Sequence, residues 1–286
     1  MTATTPLITA AELAEVIAAG ASEPDGHALV LLDARWYLTE PGRGRAEYEQ
    51  AHLPGAVFVD VEHDLSSPAR ADRRGGRHPL PDPVDLQQAM RRAGVNEDSQ
   101  VVVYDQGLSL GAARAWWLLR DGGQEDVQVL DGGIGAWIAH GGEVTDTVPA
   151  PEAGTVILRP GSMPQVDAEG VAAALAEGRT VVDVRAANRY RGEDETIDPV
   201  AGHIPGAVSR PAGTVATGKG FSSAEEIREH FAELEPGDVF SCGSGITAAQ
   251  AVLAAEAAGV RGLAIYPGSW SDWISDPTRP VATGTE

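Results

Sequence analysis

Leu31-Leu-Asp-Ala-Arg35 and His52-Leu-Pro-Gly-Ala-Val57 return further along the chain as Val181-Val-Asp-Val-Arg185 and His203-Ile-Pro-Gly-Ala-Val208. Two more pairs follow in the same order. Val101-Val-Val-Tyr-Asp105 answers to Asp238-Val-Phe-Ser-Cys242, and Leu130-Asp-Gly-Gly-Ile-Gly-Ala-Trp137 answers to Tyr266-Pro-Gly-Ser-Trp-Ser-Asp-Trp273. The offsets are 150, 151, 137 and 136, so order is kept and only loops change length. Chance supplies one such match; four in sequence mean a duplication.

Within a copy, short apolar runs alternate with helical patterns. Residues 28–33, 56–60, 100–105 and 127–131 are β-branched, nearly continuous and bounded by Gly, Pro and charged residues. Such runs suit strands buried on both faces of a parallel sheet. Between them, residues 82–93 and 112–120 place apolar side chains at helical spacing. The alternation predicts an α/β fold: a tandem duplication in which each copy is a mostly parallel sheet with helices on both faces. Sites in such sheets lie at the carboxyl ends of the strands. The Pro-rich stretch at 147–155 reads as a linker whose continuation, 156–160, packs on a domain surface. The expected layout is therefore an N-terminal domain over 1–146, a linker over 147–162 and a C-terminal domain over 163–286.

Composition narrows the function. With 286 residues, 43% of them hydrophobic, the chain can build two cores. Lys and Arg number 21 against 42 Asp and Glu, a formal charge of −21. That balance argues against nucleic-acid and anionic-membrane partners, both of which need a positive footprint. No run of about 18 apolar residues occurs, so no membrane span is expected. Residues 1–16 lack the basic and apolar regions of a secretory signal, which points to the cytoplasm. The single cysteine, Cys242, excludes an intramolecular disulfide and a cysteine-rich zinc site.

The duplication also separates fold residues from candidates for chemistry. Asp33/Asp183, Arg35/Arg185, His52/His203 and Trp137/Trp273 occur in both copies and read as structural. Cys242 stands opposite Asp105 and belongs to one copy only. It ends the strand 238–241, is followed by Gly243-Ser-Gly-Ile-Thr247, and precedes a helix expected over 248–258. Two glycines in a strand-to-helix loop let backbone N–H groups turn inward as an anion cradle. A thiol there has its pKa drawn down from about 8.5 and becomes nucleophilic. Arg189, opposite Thr39, follows a strand of the same sheet and reads as an anion binder. Arg191 is its weaker neighbour. Trp270 stands where the first copy has Ile134, and is either core or a pocket wall.

These residues resemble the two-domain rhodanese family over roughly residues 8 to 280. The loop 242–247 is similar to that of 3-mercaptopyruvate sulfurtransferases, with Ile246 where Val is usual. Thiosulfate-type rhodaneses carry basic residues there, and Gly243 and Ser244 are neutral. The resemblance implies a silent N-terminal domain, with Asp105 in place of the cysteine, and makes Arg189 the substrate-binding arginine, with Gly243, Gly245 and Ile246 lining the donor. A second substrate arginine, usual in the mercaptopyruvate enzymes, is missing from Glu195-Thr-Ile-Asp-Pro199, leaving Arg191 or Arg210 as substitutes. The resemblance further implies that His78 and Glu62 support the loop serine, Ser244; a solvated basic loop over 73–78 is the plain alternative. Cysteine phosphatases of this fold need an arginine six positions after the cysteine, where this chain has Ala248.

The expected chemistry is sulfur transfer. Cys242 attacks the sulfur of a small anionic donor held by Arg189, and Thr247 either donates to the outer sulfur or caps the helix. A thiol or cyanide acceptor, or thioredoxin, then removes the sulfur in a ping-pong cycle that needs no metal and no organic cofactor. Thiosulfate in place of 3-mercaptopyruvate is the alternative within this class. A persulfide carrier or regulatory binding module is the alternative outside it.

Overall fold

The computed structural model describes residues 5–20 and 28–285. Residues 1–4, which open the stretch read above as lacking a secretory signal, lie outside them. In chain order the elements are β1 (Leu7–Ile8), α1 (Ala10–Gly20), β2 (Leu29–Asp33), α2 (Arg43–Gln50), β3 (Val57–Phe58), α3 (Pro83–Arg92), β4 (Gln100–Tyr104), α4 (Leu110–Asp121), β5 (Val127–Leu130) and α5 (Gly133–His140). They continue with α6 (Ala168–Ala176), β6 (Val181–Asp183), α7 (Ala187–Arg191), β7 (Val208–Ser209), a 3₁₀ turn (Ala212–Thr214), β8 (Ala216–Thr217), β9 (Gly220–Phe221), α8 (Ala224–His230), β10 (Val239–Ser241), α9 (Ile246–Ala257), β11 (Ala264–Ile265) and α10 (Ser269–Trp273).

The chain forms two compact units. The first comprises Met1–Leu65, Pro81–Ser162 and Ala216–Phe221; the second comprises Ser66–Leu80, Met163–Val215 and Ser222–Glu286. Compactness thus groups the chain differently from the contiguous segments 1–146, 147–162 and 163–286. Residues 147–162 belong with the first unit, where Val156 and Leu158 are buried and the Val156 N–H donates to the Val95 carbonyl. The β8–β9 hairpin counts there as well, because the Phe221 N–H donates to Asp131 at 2.9 Å. Residues 66–80 count with the second unit, where the Gly75 N–H donates to Asp272 at 2.6 Å and the Arg77 N–H to Ser271 at 3.0 Å.

In the first unit the sheet order is β1-β5-β4-β2-β3, and in the second β11-β10-β6-β7, every pairing parallel. The runs of Val and Leu in β2 and β4 are buried almost throughout, as strands covered on both faces require. Gln165 makes an isolated parallel bridge to Ile265, standing where β1 stands in the first unit. Register proves the duplication in space. Asp33 pairs with Tyr104 and Asp183 with Ser241, so the next residues, Asp105 and Cys242, are structural equivalents.

The residues present twice hold the fold. Arg35 bonds Asp33 and the Ala51 carbonyl, and Arg185 bonds Asp183 and the Gly202 carbonyl in the same way. His52 stacks on Tyr48 and His203 on Tyr190, each ring nitrogen Nδ1 meeting that tyrosine's carbonyl oxygen at 2.7 Å. In α9 the alanines at 248, 249, 251, 254 and 255 are buried with Val252 and Leu253, so small side chains let this helix sit close on the sheet.

Candidate functional site

The carboxyl ends of three neighbouring strands of the second unit supply the site: β10 gives Cys242, β6 gives Asp183 to Arg189, and β11 gives Tyr266 to Trp270. Cys242 is 1% exposed. Its sulfur accepts the Gly245 N–H at 3.1 Å and lies 3.7 Å from the Ser269 hydroxyl. Ser269 also takes the Cys242 N–H at 3.0 Å and donates to the Tyr266 carbonyl. The Trp270 and Ser271 N–H groups donate to the carbonyls of Cys242 and Gly243, so the loop is fastened to the start of α10.

The turn into α9 depends on Gly245. It caps the helix at φ 84° without any side-chain bond, and a Cβ there would lie 2.3 Å from the Pro267 carbonyl oxygen. α9 therefore starts at Ile246, two residues before the expected 248, and the capping role considered for Thr247 falls away. Thr247 stays in the first turn, half-buried.

The first unit carries the same loop with a different occupant. The Asp105 carboxylate accepts the N–H groups of Gly107 at 2.8 Å, Ser109 at 3.0 Å and Ala112 at 3.4 Å. Burial pushes its pKa up, and these N–H groups oppose the shift. A strand-to-helix loop of this shape directs its amides at whatever the residue just after the strand presents. In one copy that is a carboxylate; in the other it is a thiol.

Charged groups surround the Cys242 loop. A Cβ on Gly243 would lie 2.9 Å from Arg77 Nη2 and 3.5 Å from Arg189 Nη1, so both guanidiniums stand over the residue next to the sulfur. Arg189 is held bidentately by Glu195 at 2.9 and 3.1 Å and by Asp198 at 3.0 Å. Arg77 pairs with the other oxygen of Asp198. Burial works against the charge on Glu195, yet the bonds from Arg189 and the N–H groups of Asp198 and Ile197 hold its pKa below the usual carboxylate value. Burial likewise works against the charge on Arg185, but Asp183 outweighs it, with Cys242 and Glu195 adding, so its pKa is raised. Arg185 Nη1 is buried without a hydrogen bond and 3.9 Å from Glu195.

His78 and Ser244 are both buried, and His78 Nδ1 lies 2.7 Å from the Ser244 hydroxyl. The stretch 73–78 is thus no solvated loop at its end. Asp272 and Ser271 take two of its N–H groups, and Gly76 packs so closely that a Cβ would meet the Gly268 carbonyl oxygen at 2.5 Å. Glu62 lies in the first unit, where it accepts the Trp36 indole N–H at 2.8 Å. Trp270 is core: 1% exposed, with its indole N–H on the Val200 carbonyl. Arg191 pairs with Glu193 and Arg210 donates to the carbonyls of His230 and Ala232, while Arg77 stands with Arg189 over Gly243. Sequence reasoning passed over Arg77, Asp198 and Ser269, although Arg77 adjoins His78 and Ser269 lies within the repeated stretch ending at Trp273. Among the described residues no group of three or more His, Cys, Asp or Glu side chains is arranged to hold a metal, and no helix is long and apolar enough to cross a membrane.

The site thus belongs to the class of duplicated parallel α/β domains that present one cysteine, cradled at a strand end, in the second copy. The chain belongs to the rhodanese family, matching the rhodanese-like domain over residues 9–140 and again over 167–276. It is 44% identical over 279 residues to a Pseudomonas aeruginosa protein named "Probable 3-mercaptopyruvate sulfurtransferase", covering 95% of this chain and 97% of that one. It is 36% identical over 279 residues to the thiosulfate sulfurtransferase of Gallus gallus, covering 94% and 93%. The crystal structure of SseA from Escherichia coli, described as having the rhodanese fold of 3-mercaptopyruvate sulfotransferases, superposes with a TM-score of 0.80. The two are 32% identical, over 93% of this chain and 99% of that one.

Proposed function

We propose that the protein is a sulfurtransferase that takes sulfur from 3-mercaptopyruvate onto Cys242 and passes it to a thiophilic acceptor. The Cys242 thiolate attacks the donor's sulfur, the carbon–sulfur bond breaks with its electron pair going to carbon, and the pyruvate enolate so formed takes up a proton. Arg189 and Arg77 hold the donor's carboxylate through the nitrogens they turn toward Gly243. The Gly245 N–H, already on the sulfur at 3.1 Å, stabilises the thiolate and then the persulfide. Thr247, Ile246 and Gly243 border the outer sulfur. Cyanide, a small dithiol or a thioredoxin-like protein removes it and regenerates the thiolate. The first copy, its loop filled by Asp105, is silent. A lone unpaired cysteine suits the reducing cytoplasm.

The observation that carries the choice of donor is the 2.7 Å contact between His78 and Ser244. A pyruvate enolate must gain a proton, and a hydroxyl backed by an imidazole two residues from the thiolate can supply it. Sulfite, the leaving group of thiosulfate, needs none. The absence of an arginine from Glu195-Thr-Ile-Asp-Pro199 is the one feature that favours a second reading, with thiosulfate as donor. Steady-state rates with both donors test the reading. The expected result is a kcat/KM for 3-mercaptopyruvate well above that for thiosulfate, with pyruvate released; a higher value for thiosulfate overturns it.

A further inference from the structure

Asp198 is bonded to both arginines that overhang the cysteine loop. Its side chain is 1% exposed, with one oxygen on Arg77 Nη1 and the other on Arg189 Nη2 at 3.0 Å. The backbone delivers it there, because Glu195 accepts the N–H groups of Ile197 and Asp198 at 2.8 and 3.0 Å and folds the segment tightly. A buried carboxylate between two guanidiniums fixes their spacing and leaves one nitrogen of each, Arg77 Nη2 and Arg189 Nη1, facing Gly243. It also sets the charge that a donor meets. Three guanidiniums (Arg77, Arg185, Arg189) stand against three carboxylates (Asp183, Glu195, Asp198), with His78 beside them. With the Cys242 thiolate counted as well, these groups carry no net positive charge.

We propose that Asp198 is a specificity-determining residue: as an internal counter-anion it tunes the site to a singly charged donor, a mercapto-carboxylate, over a doubly charged one such as thiosulfate. This rests on the sulfur-transfer reading above. For unit charges several ångströms apart at an effective dielectric of about 20, one charge corresponds to one to two powers of ten in binding. A dianion carries one more such unit than a monoanion, and residual solvent screening reduces the difference to about tenfold.

The test is Asp198→Asn, which keeps the size, removes the charge and, by turning one acceptor into a donor, gives up one of the two arginine bonds, with Asp198→Glu as the control that keeps the charge. For each, kcat/KM is measured with thiosulfate and with 3-mercaptopyruvate. Asp198→Asn should shift the ratio toward thiosulfate by about tenfold, while Asp198→Glu should leave it near the wild-type value. Equal changes with both donors, or the same shift in both variants, overturn the proposal. A second measurement needs no turnover: the rate of Cys242 alkylation by iodoacetamide, protected by sulfate or by pyruvate, on protein whose near-UV circular dichroism matches wild type. Asp198→Asn should strengthen protection by sulfate about tenfold more than protection by pyruvate; an unchanged ratio overturns the proposal. If the wild type turns over neither donor, the sulfur-transfer reading fails and the protection ratio alone decides the role of Asp198.

Discussion

Two glycines of the cysteine loop, separated by Ser244, should respond in opposite ways to alanine. At Gly245 the backbone sits at φ 84°, which costs an L-residue about 1–2 kcal/mol. The new Cβ would also lie 2.3 Å from the Pro267 carbonyl oxygen, and a backbone oxygen fastened beside α10 has little freedom to move. Relieving that contact needs a shift of about 1 Å, and overpacking of this kind costs about 1–3 kcal/mol. Gly245→Ala should therefore lose about 2–5 kcal/mol, or roughly 5–15 °C in Tm for a unit of this size. It should also lose activity, because the shift moves the N–H that bonds the Cys242 sulfur. At Gly243 the φ is ordinary and the neighbours of a new Cβ are guanidinium ends, Arg77 Nη2 at 2.9 Å and Arg189 at 3.5 Å. Those are ends of long side chains that can give by a few tenths of an ångström within their ion pairs, whereas the Pro267 carbonyl cannot, so Gly243→Ala should keep its Tm within about 2 °C and raise the KM for donor. Differential scanning calorimetry and donor titrations read both effects. Equal Tm losses in the two variants, or an unaltered donor KM in Gly243→Ala, would refute the assignment of loop shape to Gly245 and of the anion fork to Arg77 and Arg189.

Ser244→Ala and His78→Ala should each depress the 3-mercaptopyruvate rate by about 10²–10⁴-fold, the usual worth of positioned acid–base catalysis, and depress the thiosulfate rate far less. The double variant should be little worse than either single, since members of one relay are not additive; full additivity in kcat/KM would separate their roles. Arg189→Ala should lower donor kcat/KM at least tenfold, as loss of a charge-assisted bond of about 1.5–3 kcal/mol implies. Stopped-flow persulfide formation reads this directly, and an unchanged rate would move Arg189 out of the donor half-reaction. Glu195, held below its ordinary pKa of 4.5, stabilises the second unit above that pH and loses the contribution as pH falls through its folded-state value. In acid titrations of Tm, Glu195→Gln should flatten the decline below pH 4.5; an unchanged slope would mean that its ion pairs do not contribute.

Much of this was legible in the chain. The runs at 28–33, 100–105 and 127–131 became β2, β4 and β5 with ends shifted by at most one residue, because short, nearly continuous apolar runs bounded by turn residues suit buried strands. The repeats located Cys242 at a strand end opposite Asp105, and a cysteine present in one copy stood out for that reason. Short elements were less visible. The run 56–60 kept only Val57–Phe58 as strand, and β1 is two residues with no pattern of its own. Arg77 and Asp198 were illegible for a different reason. Nothing local in 73–78 says that Asp272, some two hundred positions later, will take the Gly75 N–H. A basic run reads as a solvated face until the contacts that bury it are known. Likewise Glu195-Thr-Ile-Asp-Pro199 registers as a missing arginine, whereas folding makes Asp198 the bridge between two arginines present elsewhere. The helix start at Ile246 was missed because the left-handed cap at Gly245 replaces the side-chain cap that Thr247 offered.

The central claim is that Cys242 carries sulfur, and intact-mass spectrometry after brief exposure to 3-mercaptopyruvate tests it most directly. One added sulfur corresponds to a gain of about 32 Da by the stoichiometry of covalent catalysis. Wild-type protein should show that gain and lose it on adding cyanide. Asp105→Ala should show it too, and Cys242→Ser should neither gain mass nor turn over. An added sulfur on Cys242→Ser, or full turnover by wild type with no mass change that cyanide removes, would contradict the account.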